Sequence, residues 1–270
     1  MKGGLQSAED VASREVPLRE YRKDRLSDAL EARWLRGFEE NDYSKLWAKK
    51  RIEDQAQKRI IRGWIRPGES CLELGGGYGR ITRVLEPHFR NVVMLDLARR
   101  NVRMAKGNLA KASVMRSDIS TLPLRDSTFD TVVMIRVVHL LPDPARTMKE
   151  ILRVIKDGGT LLMSVPNLVT NHLLRRFGTK LFPSLRHVVP AFGPAMWPLG
   201  ERPFLRPQEL FVPGNFRLKA MKGTGLFDNY IGAALNKFPS LSLIDSATSP
   251  LWFLKLDVFL RFEAAKPSQV

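Results

Sequence analysis

CLELGGGYGRIT, residues 71–82, joins a short apolar run to a glycine cluster and then to an amphipathic segment. Cys71, Leu72 and Leu74 form the run; Gly75, Gly76, Gly77 and Gly79 follow; Ile81, Val84 and Leu85 recur at helical spacing. That order reads as a strand, a tight turn and a helix over 79–85. A glycine turn lets backbone approach a ligand closely, because it lacks Cβ atoms and tolerates positive φ. The start of the following helix offers free N–H groups beside it.

Outward from this loop the pattern alternates strand and helix for about a hundred residues. Strands are expected at 70–74, 91–96, 113–116, 129–136 and 160–165, with helices at 79–85, 99–110 and 144–155. Gly158 and Gly159 make the turn into the fifth strand. Such spacing implies βαβ units and a parallel sheet covered on both faces. Val132, Val133, Met134 and Ile135 form a continuous apolar run, as a central strand requires. Two more strands are expected at 216–223 and 254–262, with a helix at 229–239 between them.

A dinucleotide loop wants G-x-G-x-x-G. Here the third position of that motif is Arg80, which argues against NAD and FAD. Glu73-Leu-Gly75-Gly76-Gly77-Tyr78-Gly79 instead resembles motif I of the class I S-adenosylmethionine-dependent methyltransferases, E/D-x-G-x-G-x-G. Further signposts follow in order. Asp96 and Leu97 end the second strand, and Ser117-Asp118-Ile119 follows the third. The LPLRDSTFD run, 122–130, enters the fourth, and HLLPDP at 139–144 and EILRVIKDGG at 150–159 precede the fifth. The resemblance covers about residues 65–166 and is to the methyltransferase-11-like group, which includes quinone-biosynthesis and many small-molecule enzymes.

The resemblance implies an α/β fold: a Rossmann-like, doubly wound, seven-stranded sheet, mostly parallel with the last strand antiparallel. It implies S-adenosylmethionine as cofactor. Asp96 would take the ribose hydroxyls, and Asp118 with the backbone of Ile119 would meet the adenine. Glu73 would orient the loop, Leu97 would contact the cofactor, and Tyr78 would either shield the cofactor or pack on the helix. Elementary chemistry agrees, since a carboxylate at a strand's carboxyl end can accept two hydrogen bonds from vicinal hydroxyls. Without a ligand the same aspartates would read as helix caps or turn formers.

Methyl transfer from a sulfonium depends mainly on alignment, and a base is needed only if the nucleophile must lose a proton. His139, just past the fourth strand, is the candidate base, or else pocket lining. Arg136, at the end of that strand, is expected to line the cofactor and acceptor pocket, bind an anionic acceptor or pair with a carboxylate. Residues 135–139, IRVVH, lack the Asn-Pro-Pro-Tyr or Asp-Pro-Pro-Tyr of base-amino methyltransferases. No cysteine stands in a nucleophile position, and no histidine spacing suggests a metal site.

Residues 1–65 read as an N-terminal helical extension with a break at Asn41 and Asp42, followed by the main domain over 66–270. Trp34, Trp47 and Trp64 in the extension would pack on the core or form a lid over the site. An insertion over about 167–215, rich in proline, basic and apolar residues, would cover the acceptor, face a membrane or pack locally as a flap. A small-molecule acceptor, apolar or amphiphilic and methylated on oxygen, is the leading expectation. The formal net charge of +16 raises RNA as an alternative, but the excess is spread along the chain with no polybasic tail, so nucleic acid is not favoured. A catalytically silent binding protein is the third reading. One cysteine, no signal-like apolar core in the first 16 residues and no run of about 18 apolar residues point to a reducing cytoplasm and at most peripheral membrane contact. The oligomeric state is not legible in the sequence.

Overall fold

The computed structural model describes residues 36–37, 39–40, 42–141, 143–167, 214–225, 240–251, 255 and 257–266. Trp34, most of the expected insertion, and the expected helix at 229–239 lie outside the described residues.

Two helices come first, α1 (Tyr43–Ala48) and α2 (Arg51–Trp64). Asp42 starts α1 by accepting the N–H groups of Ser44 and Lys45, so the expected break falls where a side-chain cap can form. The sheet contains β1 (Gly68–Leu74), β2 (Phe89–Asp96), β3 (Ser113–Arg116), β4 (Phe129–Ile135), β5 (Ile155–Pro166), β6 (Phe216–Thr224) and β7 (Asp257–Ala264). Between them run α3 (Thr82–Leu85), α4 (Arg99–Asn108), α5 (Pro144–Val154) and α6 (Leu241–Ala247).

The strand order is β3-β2-β1-β4-β5-β7-β6. Strands β1 to β6 share one direction and β7 runs against them, paired antiparallel to β5 and β6, so the last strand is the reversed one, as expected. Strand order reverses between β1 and β4, which opens a crevice at their carboxyl ends. Alternating side chains fill two layers. Leu72, Leu74, Val132 and Met134 pack beneath Met148, Ile151 and Val154 of α5. On the opposite face, Cys71, Val133 and Leu162 pack against Ile60, Ile61 and Trp64 of α2 and Val84 and Leu85 of α3. Trp64 is therefore a core residue, and α2 is part of the sheet's own cover.

Two boundaries differ from expectation for local reasons. The helix expected at 79–85 is confined to Thr82–Leu85, because Gly79 takes φ +87° and cannot continue a right-handed helix. Strand β5 begins at Ile155, ahead of the glycines, with a register shift that loops residues 156–159 out around Gly158 at φ +68°.

Candidate cofactor and acceptor site

The glycine loop is built against the end of β2. The N–H groups of Gly75 and Gly76 donate to the carbonyl of Leu95 at 2.8 and 3.2 Å, and Gly77 donates to Asp96 Oδ2 at 2.8 Å. Gly75, Gly77 and Gly79 all have positive φ. A Cβ on Gly75 would collide with Val137, and one on Gly76 would lie 2.5 Å from Met94 Cγ. A Cβ on Gly77 would meet no heavy atom within 4 Å, so the loop is tight behind and open at Gly77.

Asp96 braces this arrangement. Its second oxygen accepts from Ala98 N at 2.9 Å and Asn101 Nδ2 at 3.1 Å. Burial raises its pKa, and the hydrogen bonds from Ala98, Asn101 and Gly77 oppose that rise. Glu73 lies under the loop, 2% exposed, and accepts the Thr82 hydroxyl. Burial pushes its carboxyl up to about 7, against the Thr82 bond and the Arg80 charge. Glu73 thus touches the loop from beneath while Asp96 holds it from the side. Tyr78 is partly exposed, and its carbonyl accepts from Asn108. The Leu97 carbonyl accepts from Arg116 Nε at 2.9 Å, which fixes the turn after β2. Asp118 accepts from Ser120 N at 2.9 Å in the turn after β3, and Ile119 is buried in the core beside Leu122.

At the end of β4, Arg136 sits at φ +59°, a conformation that costs a residue with a Cβ energy and that its surroundings must enforce. Its N–H donates to Ser164 Oγ, and its guanidinium pairs with Asp257 and, at 3.5 Å, with Glu53. Lys50 adds a second cation 3.1 Å from Glu53. Although burial works the other way, Lys50 and Arg136 hold Glu53 below the usual carboxylate range. Burial pushes Asp257 up to about 7, with Arg136 opposing and the Glu53 charge reinforcing the rise. Next along, His139 lies on a 3-10 turn (Val138–Leu140) and is 7% exposed. Burial first, and the Arg136 charge second, lower its pKa to about 3.

An N-terminal strap crosses these strand ends. Glu39 accepts the N–H groups of Arg99 and Arg100 at 2.8 and 3.2 Å, which caps α4. Asp42 pairs with Arg100 at 2.7 Å. One turn of α1 later, the Trp47 ring stacks on Arg80, 3.6 Å from its guanidinium carbon, with Arg136 5.9 Å away. Arg80 is itself held by Asp54 and Gln57 of α2. Tyr43 shares a face with Trp47, and its hydroxyl feels the charges of both Asp96 and Arg136. Burial pushes that hydroxyl up to about 12, so it stays a donor at neutral pH.

The structure brings Glu73, the four glycines, Asp96 and Leu97 together at the ends of β1 and β2, and places Arg136 and His139 across the switch point at β4. Sequence reasoning missed Glu39, Tyr43, Glu53, Arg80 and Asp257. Arg80 was visible as the residue that breaks the dinucleotide motif; the others lie far away in sequence and carry no local signature.

Comparison with known proteins bears on the central part of the chain. Residues 72–163 match the family model described as "Methyltransferase domain". Over those residues the chain is similar to methyltransferase domains. A protein of Mycolicibacterium smegmatis named "Probable S-adenosylmethionine-dependent methyltransferase" is 31% identical over 103 residues, 38% of this chain and 40% of that protein. The phthiotriol/phenolphthiotriol dimycocerosates methyltransferase 1 of Mycobacterium ulcerans is 34% identical over 101 residues, 35% of this chain and 36% of its own. These matches span well under half of the relatives' length. The solved S-adenosylmethionine-dependent methyltransferase of Thermotoga maritima shares the fold with a TM-score of 0.57 at 17% identity, over 86% of this chain and 99% of that one. The relative from Mycolicibacterium smegmatis is named for S-adenosylmethionine, the cofactor expected from the glycine loop. Among the described residues no helix is long and apolar enough to cross a membrane, and no group of three or more His, Cys, Asp or Glu could hold a metal.

Proposed function

We propose that the chain transfers the methyl group of S-adenosylmethionine to a small apolar or amphiphilic acceptor, most simply on oxygen. The observation that carries this reading is Asp96, which braces the Gly77 N–H at the carboxyl end of β2 beside a loop open at Gly77. In this reading Asp96 takes the ribose hydroxyls and Gly75, Gly76, Gly77 and Gly79 cradle the methionine portion, with Glu73 holding the loop from below. Leu97, Asp118 and the backbone of Ile119 form the adenine side, and Tyr78 edges the cofactor. The described part of the strap, from Glu39 and Asp42 to Asp54, closes the site in this reading.

The chemistry rests on alignment, because the sulfonium already activates the methyl carbon. His139 serves as a neutral wall residue: a conjugate acid with a pKa of about 3 holds a proton poorly at pH 7. Arg136, tied by Asp257 and Glu53, fixes the end of β4 where the acceptor meets the methyl group. An apolar acceptor is supported by the lipid-named relative from Mycobacterium ulcerans. The +16 charge favours RNA as the second reading, which a methylation assay across a salt series distinguishes, since RNA binding weakens steeply with salt.

Calorimetry with S-adenosylhomocysteine tests the assignment. Asp96→Asn keeps the size of the side chain and weakens its acceptor strength. Affinity is expected to fall by roughly tenfold to a hundredfold, about 1.5–3 kcal/mol for hydrogen bonds to a charged group. Unchanged affinity in a variant of wild-type melting temperature would remove the basis for the cofactor site.

A further inference from the structure

Helix α6 and the turn that follows it present apolar side chains to solvent. Leu243, Ile244 and Leu251 are 58%, 49% and 45% exposed, three of the five large hydrophobic side chains exposed among the described residues. The stretch 240–251, SLSLIDSATSPL, contains one charged residue, Asp245, and it is buried. The helix cannot roll to hide its leucine face. Asp245 takes Lys255 Nζ at 2.5 Å and the Gly225 N–H at 3.0 Å, and Lys255 also donates to Thr248 Oγ1 at 2.8 Å. Both partners of that ion pair are 1% exposed.

A basic stripe runs beside this face. Ser242 donates to Gln55, and Arg59 donates to Ser242 and Ser246, so α6 lies along α2. Arg51, Arg59 and Arg62 share that side of α2, and Arg66 follows just past its end; all four are exposed. The acids of α2 are engaged elsewhere: Glu53 is buried near Arg136, and Asp54 is held by Lys58 and Arg80. Beyond α2, Lys222 and Arg261 each lie 5.8 Å from the Trp64 ring.

The position of this surface matters as much as its composition. Gly225 and Lys255 adjoin Thr224 and Asp257, which pair with each other, and Asp257 also pairs with Pro166 at the end of β5. This is the end of the sheet at which Arg136 closes β4. We propose that α6 and the arginine stripe of α2 form a docking surface for an anionic phospholipid bilayer, which holds the acceptor end of the sheet at the membrane interface. Uncharged leucine side chains enter the headgroup boundary while the flanking cations meet lipid phosphates. RNA would engage the arginines but has no use for the apolar trio, so the combination favours lipid. Adsorption needs no cofactor, so the proposal stands apart from the methyltransferase reading.

Co-sedimentation of the full chain with phosphatidylcholine vesicles, with and without about a third phosphatidylglycerol, tests it. Binding is expected only with phosphatidylglycerol and is expected to weaken with salt. Leu243→Glu/Ile244→Glu and Arg62→Glu/Arg66→Glu should each lower the partition by about tenfold or more, with circular dichroism and melting temperature kept. Leu243→Ser/Ile244→Ser repeats the first arm with less perturbation should the glutamates unfold the helix. A wild-type chain that stays in the supernatant overturns the proposal, as do folded variants that bind like wild type. So does a wild-type dimer that the leucine variant disperses without any vesicle binding, which would make the face a protein interface. Binding to single-stranded RNA that needs Arg62 and Arg66 but not the leucines, again without vesicle binding, would assign the stripe to nucleic acid.

Discussion

Glu73 carries two demands that conflict at neutral pH. It must sit beneath the glycine loop to accept from Thr82, and burial there disfavours its charge, raising its pKa from 4.5 to about 7. Between those two values the folded chain holds a proton that the unfolded chain has released. Stability contributed by this proton is full below the unfolded pKa and is lost as pH rises toward 7. Glu73→Gln keeps an acceptor for Thr82 and removes the charge. The variant should therefore gain on wild type as pH rises from 5 to 8, by on the order of 2–3 kcal/mol at the upper end. Urea titrations of both proteins across that range check it, and parallel curves would show that Glu73 is not the buried titrating group. The neighbouring glycines make a second contrast. Gly76→Ala should destabilise by about 1–3 kcal/mol, because its Cβ would lie 2.5 Å from Met94 Cγ. Gly77→Ala has open space and only its φ of +61° to strain, so its cost is about 1 kcal/mol. Thermal melts rank the two.

At the scale of elements, strands were the most legible. The expected 113–116 matches β3 at both ends, and β1, β2 and β4 match within two residues, because buried strands in a parallel sheet are short apolar runs with polar flanks. The first helix was less legible, since its amphipathic spacing extends back into a glycine whose positive φ is set by the turn. The tryptophans of the extension divided between their two readings. Trp64 packs in the core, while Trp47 lies on Arg80 beside the loop. Sequence could not tell them apart because both sit at helical spacing, and what differs is the surface each meets after folding. The strap depends on that distinction. Trp47→Ala removes a stacked guanidinium contact of about 1 kcal/mol. It should weaken S-adenosylhomocysteine binding by roughly fivefold and leave the melting temperature within a few degrees. Equal affinity by calorimetry would mean that α1 lies over the site without closing it.

For the whole molecule, the last two strands were read as strands, but what joins them to the rest was not. The antiparallel β7 lies between β5 and β6, so the sheet's edge depends on a chain segment that returns from far along the sequence. Contacts of that kind leave no local pattern. Arg136 reaches Asp257, Arg59 reaches Ser242, and Lys266 N donates to Asp157 at 2.9 Å, each across more than a hundred residues. Lys255 and Asp245 are ten residues apart, yet nothing in the sequence marks them as a buried pair, because lysine and aspartate more often face water. Their pairing locks α6, the end of β6 and the start of β7 into one unit. Lys255→Met would remove the cation that pairs with the buried Asp245 carboxylate and should cost about 3–5 kcal/mol. If the sheet folds cooperatively, that loss appears as a shift of a single urea transition with the wild-type slope, since the slope follows the surface exposed on unfolding. A variant that instead unfolds in two steps, with a first step of small slope, would show that β6, α6 and β7 fold as a separate layer on a five-stranded parallel core. The antiparallel bonds of β7 along β5, from Thr160 to Pro166, argue for the single transition, because they bury the edge that such a core would otherwise expose.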